Sequence, residues 1–212
     1  MLIVHHLGIS QSDRIVWLCE ELGLDFELRR YDRDPVTKLA PPEYRALHRF
    51  GTAPVIQHDD LTLGETGAIF EYLIAIRDGR LGRSLRDADF ADYLYWLHFG
   101  NGSFVPAGVN TMIVRTISGG SGDHTLGIFG DRLRRAYESA DERLGETPYF
   151  AGTEFSAADI MMVFPLTTMR AFAPVDLAPY PNIRAYLGRI GQRPAFRRAM
   201  AKADPGFEVH LT

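Results

Sequence analysis

Apolar positions in the first 80 residues follow two different spacings. Residues 2–6 form a short apolar run that is typical of a buried strand. Apolar side chains at 15, 18, 19 and 22 recur every three or four residues, which predicts an amphipathic helix that Gly23 ends. Residues 26–31 alternate again as a second strand, and two prolines at 41 and 42 open a short helix. A hairpin over 55–63 and a helix over 65–77 complete a predicted βαβαββα order.

After residue 80 the periodicity is mostly helical. Residues 81–86 indicate a linker, and residues 87–98 a helix. Residues 99–127 hold seven glycines and one proline, so a helix there must be kinked or interrupted. Further helices are predicted over 126–144, from Ser156 with Asp159 in a capping box, and over 181–190 and 194–203. The sequence therefore predicts an α/β domain over residues 1–80 and an all-α helical domain over 87–212.

Composition and charge exclude several classes of protein. Of 212 residues, 46% are hydrophobic and 24% charged, as in ordinary soluble domains. The net charge of −4 gives no global attraction to nucleic acid or an anionic membrane. Cys19 is the single cysteine, which excludes a disulfide framework and a C-x-x-C redox pair, and its place on an apolar helix face predicts a core residue. No targeting signal or ~20-residue apolar span is visible, so a cytoplasmic protein is expected.

The first candidate for chemistry is the turn after strand one. Ser10 would lie at the N-terminus of the first helix, where backbone N–H groups and the helix dipole favour an anion. A thiol in such a place ionises more easily, and a serine O–H can donate to the thiolate of a ligand. Ser12 is a rival in the same turn, and the alternative is that both serines merely cap the helix. His5 and His6, in the preceding strand, are expected to be structural.

Two further segments offer backbone and side-chain groups to a ligand. Proline at 54 is awkward before a strand, and a cis Ala53–Pro54 bond is one solution that would leave the N–H and C=O of Val55 for an extended peptide. An ordinary trans turn is the alternative. Glu65 can accept from an ammonium group, and Thr66 at a helix N-terminus can hold a carboxylate. For Thr66, simple helix capping is the competing interpretation.

In this order, the motifs resemble a known family. The pattern is Ser-x-Ser-x-Arg after a strand, followed by Ala-Pro-Val and then by Gly-Glu-Thr. It resembles the N-terminal thioredoxin-like domain of a cytosolic glutathione transferase, of the serine-using kind found in bacteria or fungi. The likeness covers nearly the whole sequence. Other stretches that carry it are WLCEELGL at 17–24, FSAAD at 155–159, YPN at 180–182 and RPA at 193–195.

The resemblance implies roles for individual residues. Ser10 would donate to the glutathione thiolate, and Val55 would pair with the cysteinyl backbone after a cis proline. Glu65 and Thr66 would hold the γ-glutamyl amine and carboxylate, Thr66 standing where the family usually has serine.

The glycyl carboxylate is less clearly provided for. A basic residue is common where Thr52 stands, and Lys38 or Arg49 is expected to substitute for it as the glutathione-binding cation. His98, Asn101 and Phe104 could line an electrophile pocket contributed by the helical domain, although core packing is the favoured interpretation.

The expected function is that of a detoxifying glutathione S-transferase. Glutathione would be the co-substrate, its thiolate would attack a small hydrophobic electrophile, and the protein would be a homodimer with no metal, nucleic acid or membrane partner. A glutathione-dependent peroxidase and a non-catalytic binding or regulatory protein are the alternatives. Disulfide exchange is disfavoured because no cysteine lies near Ser10.

Overall fold

The computed structural model describes residues 1–119 and 124–212, which form two compact units. The first unit comprises Met1–Gly82 together with Gly191–Val209, and the second comprises Arg83–Ile190 with His210–Thr212. The last helix therefore packs with the N-terminal unit, whereas the hydrophobic pattern groups it with the helical domain. Residues 120–123, part of the predicted glycine-rich segment, lie outside the described residues.

Among the described residues, four strands form one mixed sheet in the first unit. The order is β2-β1-β3-β4, with β1 and β2 parallel and β3 and β4 joined as an antiparallel hairpin. Together with three helices this confirms the predicted βαβαββα order. The strands are β1 Leu2–Leu7, β2 Glu27–Tyr31, β3 Val55–His58 and β4 Leu61–Gly64.

The helices follow the predicted positions to within a few residues. A π-helix, Gly100–Phe104, separates α4 from α5, and a 3₁₀ turn, Thr168–Ala171, follows α7. The α-helices are α1 Asp13–Leu22, α2 Pro42–Arg45, α3 Thr66–Ala75, α4 Phe90–Phe99, α5 Val105–Ile117, α6 His124–Glu146, α7 Ala157–Leu166, α8 Pro181–Gly191 and α9 Pro194–Ala203. Within the described residues, no helix combines the length and the hydrophobicity that a bilayer crossing requires.

Helix α1 packs against α9, α3 and strand β1 in the first unit. It ends at Gly23, which adopts the predicted left-handed conformation at φ 62°. On its outer side the Trp17 ring meets Phe196 edge-on, with ring centroids 4.9 Å apart. Arg193 donates from Nε and Nη2 to the Glu21 carboxylate at 2.7 and 2.8 Å, a two-point contact that fixes geometry as well as charge. These contacts hold the start of α9 on α1. Further along α9, Arg198 and Lys202 pair with Glu20 of α1, and Asp204 follows the helix.

The π-helix in the second unit coincides with a close approach between helices. A Cβ atom added to Gly100 would lie 3.0 Å from Met161 Cγ and 3.2 Å from the Met161 carbonyl oxygen. Glycine therefore allows the backbone to pass α7, and the helix is interrupted here as the glycine content of residues 99–127 predicts.

Helix α7 begins with the predicted capping box. The Asp159 carboxylate accepts from the backbone N–H of Ser156 at 2.8 Å and of Phe150 at 2.9 Å, and from the Tyr186 hydroxyl at 3.2 Å. Complete burial raises the pKa of Asp159 to about 6, although these hydrogen bonds act in the opposite direction. The carboxylate therefore joins the start of α7 to a loop and to α8 inside the core.

We expect Asp159→Ala to lower the free energy of unfolding by about 3 kcal/mol or more, because each buried donor left unpaired costs ~1–3 kcal/mol. Ser156→Ala removes a cap and should cost about 1 kcal/mol. Glu43→Ala is the matched control, since Glu43 is an exposed acid in the first turn of α2; it should change stability by less than about 0.5 kcal/mol. Denaturant titration measures all three, and an Asp159→Ala cost no larger than that of the control would contradict this account of the capping box.

Candidate active site

One edge of the sheet collects the segments that the sequence singles out. Strand β1 ends at this edge, β3 begins there and β4 ends there, because His5 pairs with Val55 and Val55 with Gly64. Adjacent strands lie about 4.8 Å apart, so the ends of β1 and β4 are about 10 Å apart across β3. The turn at residues 8–12, the proline at 54 and the start of α3 therefore lie side by side.

The turn after β1 places two serine hydroxyls together. Ser10 Oγ donates to the Leu7 carbonyl oxygen at 2.6 Å and lies 2.8 Å from Ser12 Oγ. Ser12 is fully buried, whereas Ser10 keeps 5% of its surface exposed. The backbone carbonyl of Ser10 accepts from the N–H of Asp13, the first residue of α1. Ser10 is thus the more accessible of the two residues, and it lies at the N-terminus of a ten-residue helix.

Ser12 makes contacts that a helix cap would not make. Its Oγ accepts from the Leu7 N–H at 3.1 Å and lies 2.8 Å from His6 Nδ1. His6 Nε2 donates to Asp204 Oδ2 at 3.1 Å, and the other Asp204 oxygen accepts from the Ile9 N–H at 2.9 Å. His6 therefore has a partner far away in the sequence, which local spacing does not reveal.

The Asp204 carboxylate is held in its charged form. Burial would raise the pKa of Asp204, but the hydrogen bonds from His6 and from the N–H of Ile9 hold that pKa below its ordinary value. A carboxylate in this state orients the imidazole, because its bond to Nε2 leaves Nδ1 directed at Ser12.

Two arginines support the turn from either side. Arg33 Nε donates to the Gly8 carbonyl at 3.0 Å, and Arg33 Nη1 donates to the Lys38 carbonyl at 3.0 Å. Lys38, an exposed residue with φ 60°, is thereby held near the turn. Arg14 is buried and hydrogen-bonds the side chain of Gln11; burial lowers the pKa of Arg14 to about 10. Sequence analysis missed Arg33, because its partners are backbone carbonyls that no motif marks.

The Ala53–Pro54 bond is cis, as the resemblance implies. The pairing of Val55 with a peptide ligand stays a prediction. Tyr44 packs against Val55, and the Tyr44 hydroxyl donates to the His5 carbonyl at 3.3 Å. Burial raises the pKa of Tyr44, and the Val55 N–H lowers it by less. Ala53, half-buried on the other side of the cis bond, lies outside both ladders of β3, and Thr52 beside it is exposed.

Glu65 and Thr66 lie where β4 turns into α3. Glu65 is exposed and adopts φ 69° and ψ 120°, a conformation that L-residues avoid. Such backbone strain is concentrated at functional sites. Thr66 is 3% exposed and begins α3, whose first helical bond runs from the Ile69 N–H to the Glu65 carbonyl at 3.0 Å. The N–H groups of the first turn therefore form a second helix N-terminus at this edge.

The second unit contains a cavity of about 380 Å³. Phe99 and Ser103 line one side, Asn110 of α5 lies nearby, and Arg132 and Arg135 of α6 line the other. The predicted pocket residues His98, Asn101 and Phe104 are not among its lining residues in the described part of the protein. Phe104 is fully buried and packs edge-on against Tyr137 at 4.9 Å, which agrees with the interpretation of core packing.

Residues 1–119 and 124–212 contain neither a reactive protein thiol nor a group of side chains arranged as metal ligands. Cys19 is fully buried, and burial raises the pKa of its thiol, which keeps it protonated. Within the same described residues, no three His, Cys, Asp or Glu side chains are grouped as metal ligands would be.

Comparison with known proteins agrees with this architecture. Residues 10–76 match the family described as "Glutathione S-transferase, N-terminal domain", and residues 123–189 match "Glutathione S-transferase, C-terminal domain". Glutathione S-transferase 3 of Schizosaccharomyces pombe is 33% identical over 96% of this chain and 88% of that protein. Glutathione S-transferase 1 of Saccharomyces cerevisiae is 29% identical over 94% of each.

A solved structure gives the same result for the fold. A glutathione S-transferase from Actinobacillus pleuropneumoniae superimposes with a TM-score of 0.88 at 32% identity, covering 97% of this chain and 95% of that one. The sheet of the first unit and the helices of the second thus recur together in a relative above 30% identity. On these matches, which span nearly the whole sequence, the chain belongs to the glutathione S-transferase family.

Proposed function

We propose that this protein binds glutathione along the sheet edge and activates its thiol for attack on a small hydrophobic electrophile. The observation that carries the proposal is the strand register from His5 through Val55 to Gly64. It brings a serine hydroxyl, a proline-bounded backbone segment and the N-termini of α1 and α3 to one line about 10 Å long. A tripeptide with a thiol at its centre and carboxylates at its ends fits that arrangement.

The activation requires a modest stabilisation of the thiolate. A free cysteine-type thiol has a pKa of ~8.5, so only a few per cent is ionised at pH 7. Lowering the pKa by one unit requires about 1.4 kcal/mol. A hydroxyl donating to an anion contributes ~1.5–3 kcal/mol and a helix N-terminus ~0.3–1 kcal/mol, so Ser10 and α1 together are sufficient.

Ser10 is the residue that we assign to the thiolate. Its exposed fraction and its position in front of α1 support this role, whereas the fully buried Ser12 is occupied by His6 and Leu7. The Ser10 O–H would leave the Leu7 carbonyl when glutathione binds and would donate to the sulfur once the thiolate has formed.

The remaining groups of glutathione find partners along the edge. The backbone around the cis bond, with Val55 after the proline and Ala53 before it, is suited to pair with the cysteinyl residue. Glu65 would accept from the γ-glutamyl amine, and Thr66 with the first turn of α3 would hold the γ-glutamyl carboxylate. Lys38, an exposed cation held near the turn, would pair with the glycyl carboxylate, with Thr52 as a neighbouring polar contact.

The family relationship supports the broader features of the proposal. We propose that the protein is a cytoplasmic homodimer that detoxifies electrophiles, and that the helical unit contributes the electrophile pocket. Turnover of 1-chloro-2,4-dinitrobenzene with glutathione tests the transferase activity. Activity with a hydroperoxide alone would indicate a peroxidase instead, and glutathione binding without turnover of either compound would indicate a binding protein.

Ser10→Ala should raise the pKa of the bound glutathione thiol by about one unit or more, because the thiolate loses its hydroxyl donor. The kcat/KM near pH 7 should fall about 10-fold or more, and the loss should shrink as the pH rises above the thiol pKa. Ultraviolet thiolate absorbance of the bound glutathione gives the pKa. Ser10→Thr, which keeps a hydroxyl, is the control and should retain most of the effect. An unchanged thiol pKa in Ser10→Ala would remove the residue from the mechanism.

Glu65→Gly should stabilise the fold by about 1 kcal/mol relative to Glu65→Ala, because glycine tolerates the positive φ. Both variants should weaken glutathione binding about 10-fold or more, since a hydrogen bond to a charged group is lost. Asp78→Gly is the matched control, because Asp78 is exposed at φ 55° just after α3; it should leave glutathione affinity unchanged. Denaturant titration and binding calorimetry provide the two measurements. Equal affinities for wild type and Glu65→Gly would show that Glu65 does not contact glutathione.

A further inference from the structure

A continuous row of polar side chains runs from the proposed thiolate position into the first unit. Ser10 Oγ and Ser12 Oγ are 2.8 Å apart, Ser12 Oγ and His6 Nδ1 are 2.8 Å apart, and His6 Nε2 and Asp204 Oδ2 are 3.1 Å apart. His6 and Ser12 are fully buried, and Asp204 is 6% exposed. Every link is within hydrogen-bond distance, and the order of groups is hydroxyl, hydroxyl, imidazole and carboxylate.

We propose that this row relays the thiol proton of bound glutathione to His6, through the hydroxyls of Ser10 and Ser12. The inference rests on the proposed function, because it requires that glutathione places its sulfur at Ser10. His6 and Asp204 do not touch the substrate in this scheme. They are positioning residues that act through the two serines, and His6 is the final acceptor of the proton.

The scheme starts from a neutral His6 imidazole, and this choice sets the hydrogen-bond directions before the step. His6 Nε2–H donates to Asp204, and Nδ1 accepts from the Ser12 O–H. When glutathione binds, the Ser10 O–H turns from the Leu7 carbonyl, to which it donates at 2.6 Å, to Ser12 Oγ. Ser12 Oγ then accepts from the Leu7 N–H on one lone pair and from the Ser10 O–H on the other. Ser10 Oγ then faces the S–H of glutathione as an acceptor. No member of this row needs more lone pairs or protons than it has.

The step moves one proton at each link and leaves the heavy atoms in place. The S–H bond breaks and an O–H bond forms on Ser10, while the former Ser10 proton passes to Ser12 and the former Ser12 proton passes to His6 Nδ1. Afterwards the Ser10 O–H donates to the thiolate and the Ser12 O–H donates to Ser10 Oγ. His6 is an imidazolium paired with Asp204, so charge is conserved and no proton enters the solvent.

The charged groups around His6 favour this final state. Asp204, after α9, is hydrogen-bonded to the imidazole and accepts from the Ile9 N–H as well. From the neighbouring strand Arg30 pairs in register with His6, and Arg33 follows it near the turn. Asp13 and Arg14, at the start of α1, are both buried. The Asp204 carboxylate is the charge in direct contact with the imidazole, and it stabilises the imidazolium.

The preceding histidine provides a matched comparison. His5 is 1% exposed and, like His6, lies in β1, but its Nδ1 is 2.9 Å from the Tyr31 hydroxyl and its Nε2 is 3.1 Å from Gln57 Oε1. Successive side chains of a strand point to opposite faces of the sheet. His5 is therefore a buried, hydrogen-bonded histidine that lies outside the relay.

Counting protons during glutathione binding tests the relay directly. At about pH 7, thiolate absorbance gives the thiolate formed, and calorimetry in buffers of different ionisation enthalpy gives the protons released. S-methylglutathione lacks the thiol proton, so its proton release is subtracted as the reference for all other groups. The relay predicts far less than one proton released for each thiolate formed, because His6 retains it. Release of about one proton per thiolate would overturn it.

Variants separate this inference from the proposed function. Ser12→Ala and His6→Gln should each raise the bound thiol pKa by about one unit and restore the release of about one proton for each thiolate that still forms. His5→Gln should behave as wild type. Ser12→Thr keeps the hydroxyl and should therefore restore the lowered thiol pKa that Ser12→Ala loses. A variant that binds S-methylglutathione with unchanged affinity is folded. If His6→Gln does not fold, Ser12→Ala alone is enough to test the relay.

If wild type lowers the thiol pKa and Ser12→Ala has the same thiol pKa as wild type, the relay fails and the proposed function stands. If wild type does not lower the thiol pKa, the proposed function fails.

Discussion

The two oxygens of the Asp204 carboxylate hold the turn on which the proposed site depends. One accepts from the Ile9 backbone N–H in that turn, and the other accepts from His6 in β1. Asp204 reaches this position because α9 packs on α1 through Arg193 and Trp17. The segment after α9 therefore shapes the turn that carries Ser10, and the last helix is structurally part of the first unit.

Local groups, and not net charge, supply the attraction for an anionic tripeptide. The first 80 residues hold 13 acidic and 9 basic residues, so all of the net charge of −4 falls on the segment proposed to bind glutathione. The N-termini of α1 and α3 and the exposed Lys38 act at short range, where oriented N–H groups outweigh a diffuse negative field. The reactive sulfur belongs to the substrate, since the protein's own thiol at Cys19 is buried and protonated.

Sequence patterns predict what is decided locally and miss what depends on distant contacts. The Gly23 cap, the hairpin before α3 and the capping box at Asp159 each follow from a few neighbouring residues, and each is present. The bond between His6 and Asp204 joins residues 198 positions apart, so no periodicity indicates it. The hydrogen bond from the Tyr44 hydroxyl to the His5 carbonyl is not indicated by the sequence either, because it depends on how α2 packs against the sheet. The positive φ of Glu65 also follows from the turn between β4 and α3 rather than from the residue itself.

The central claim is that the Ser10 hydroxyl faces the glutathione sulfur at the end of β1. A crystal structure of the protein with glutathione bound measures this most directly, through the distances from the sulfur to Ser10 Oγ and to Ser12 Oγ. The account predicts a sulfur within hydrogen-bond distance of Ser10 Oγ, with Ser12 Oγ behind it and still in contact with Ser10 and His6. A sulfur bound by Ser12, or placed away from both serines while the rest of glutathione occupies the sheet edge, would contradict it.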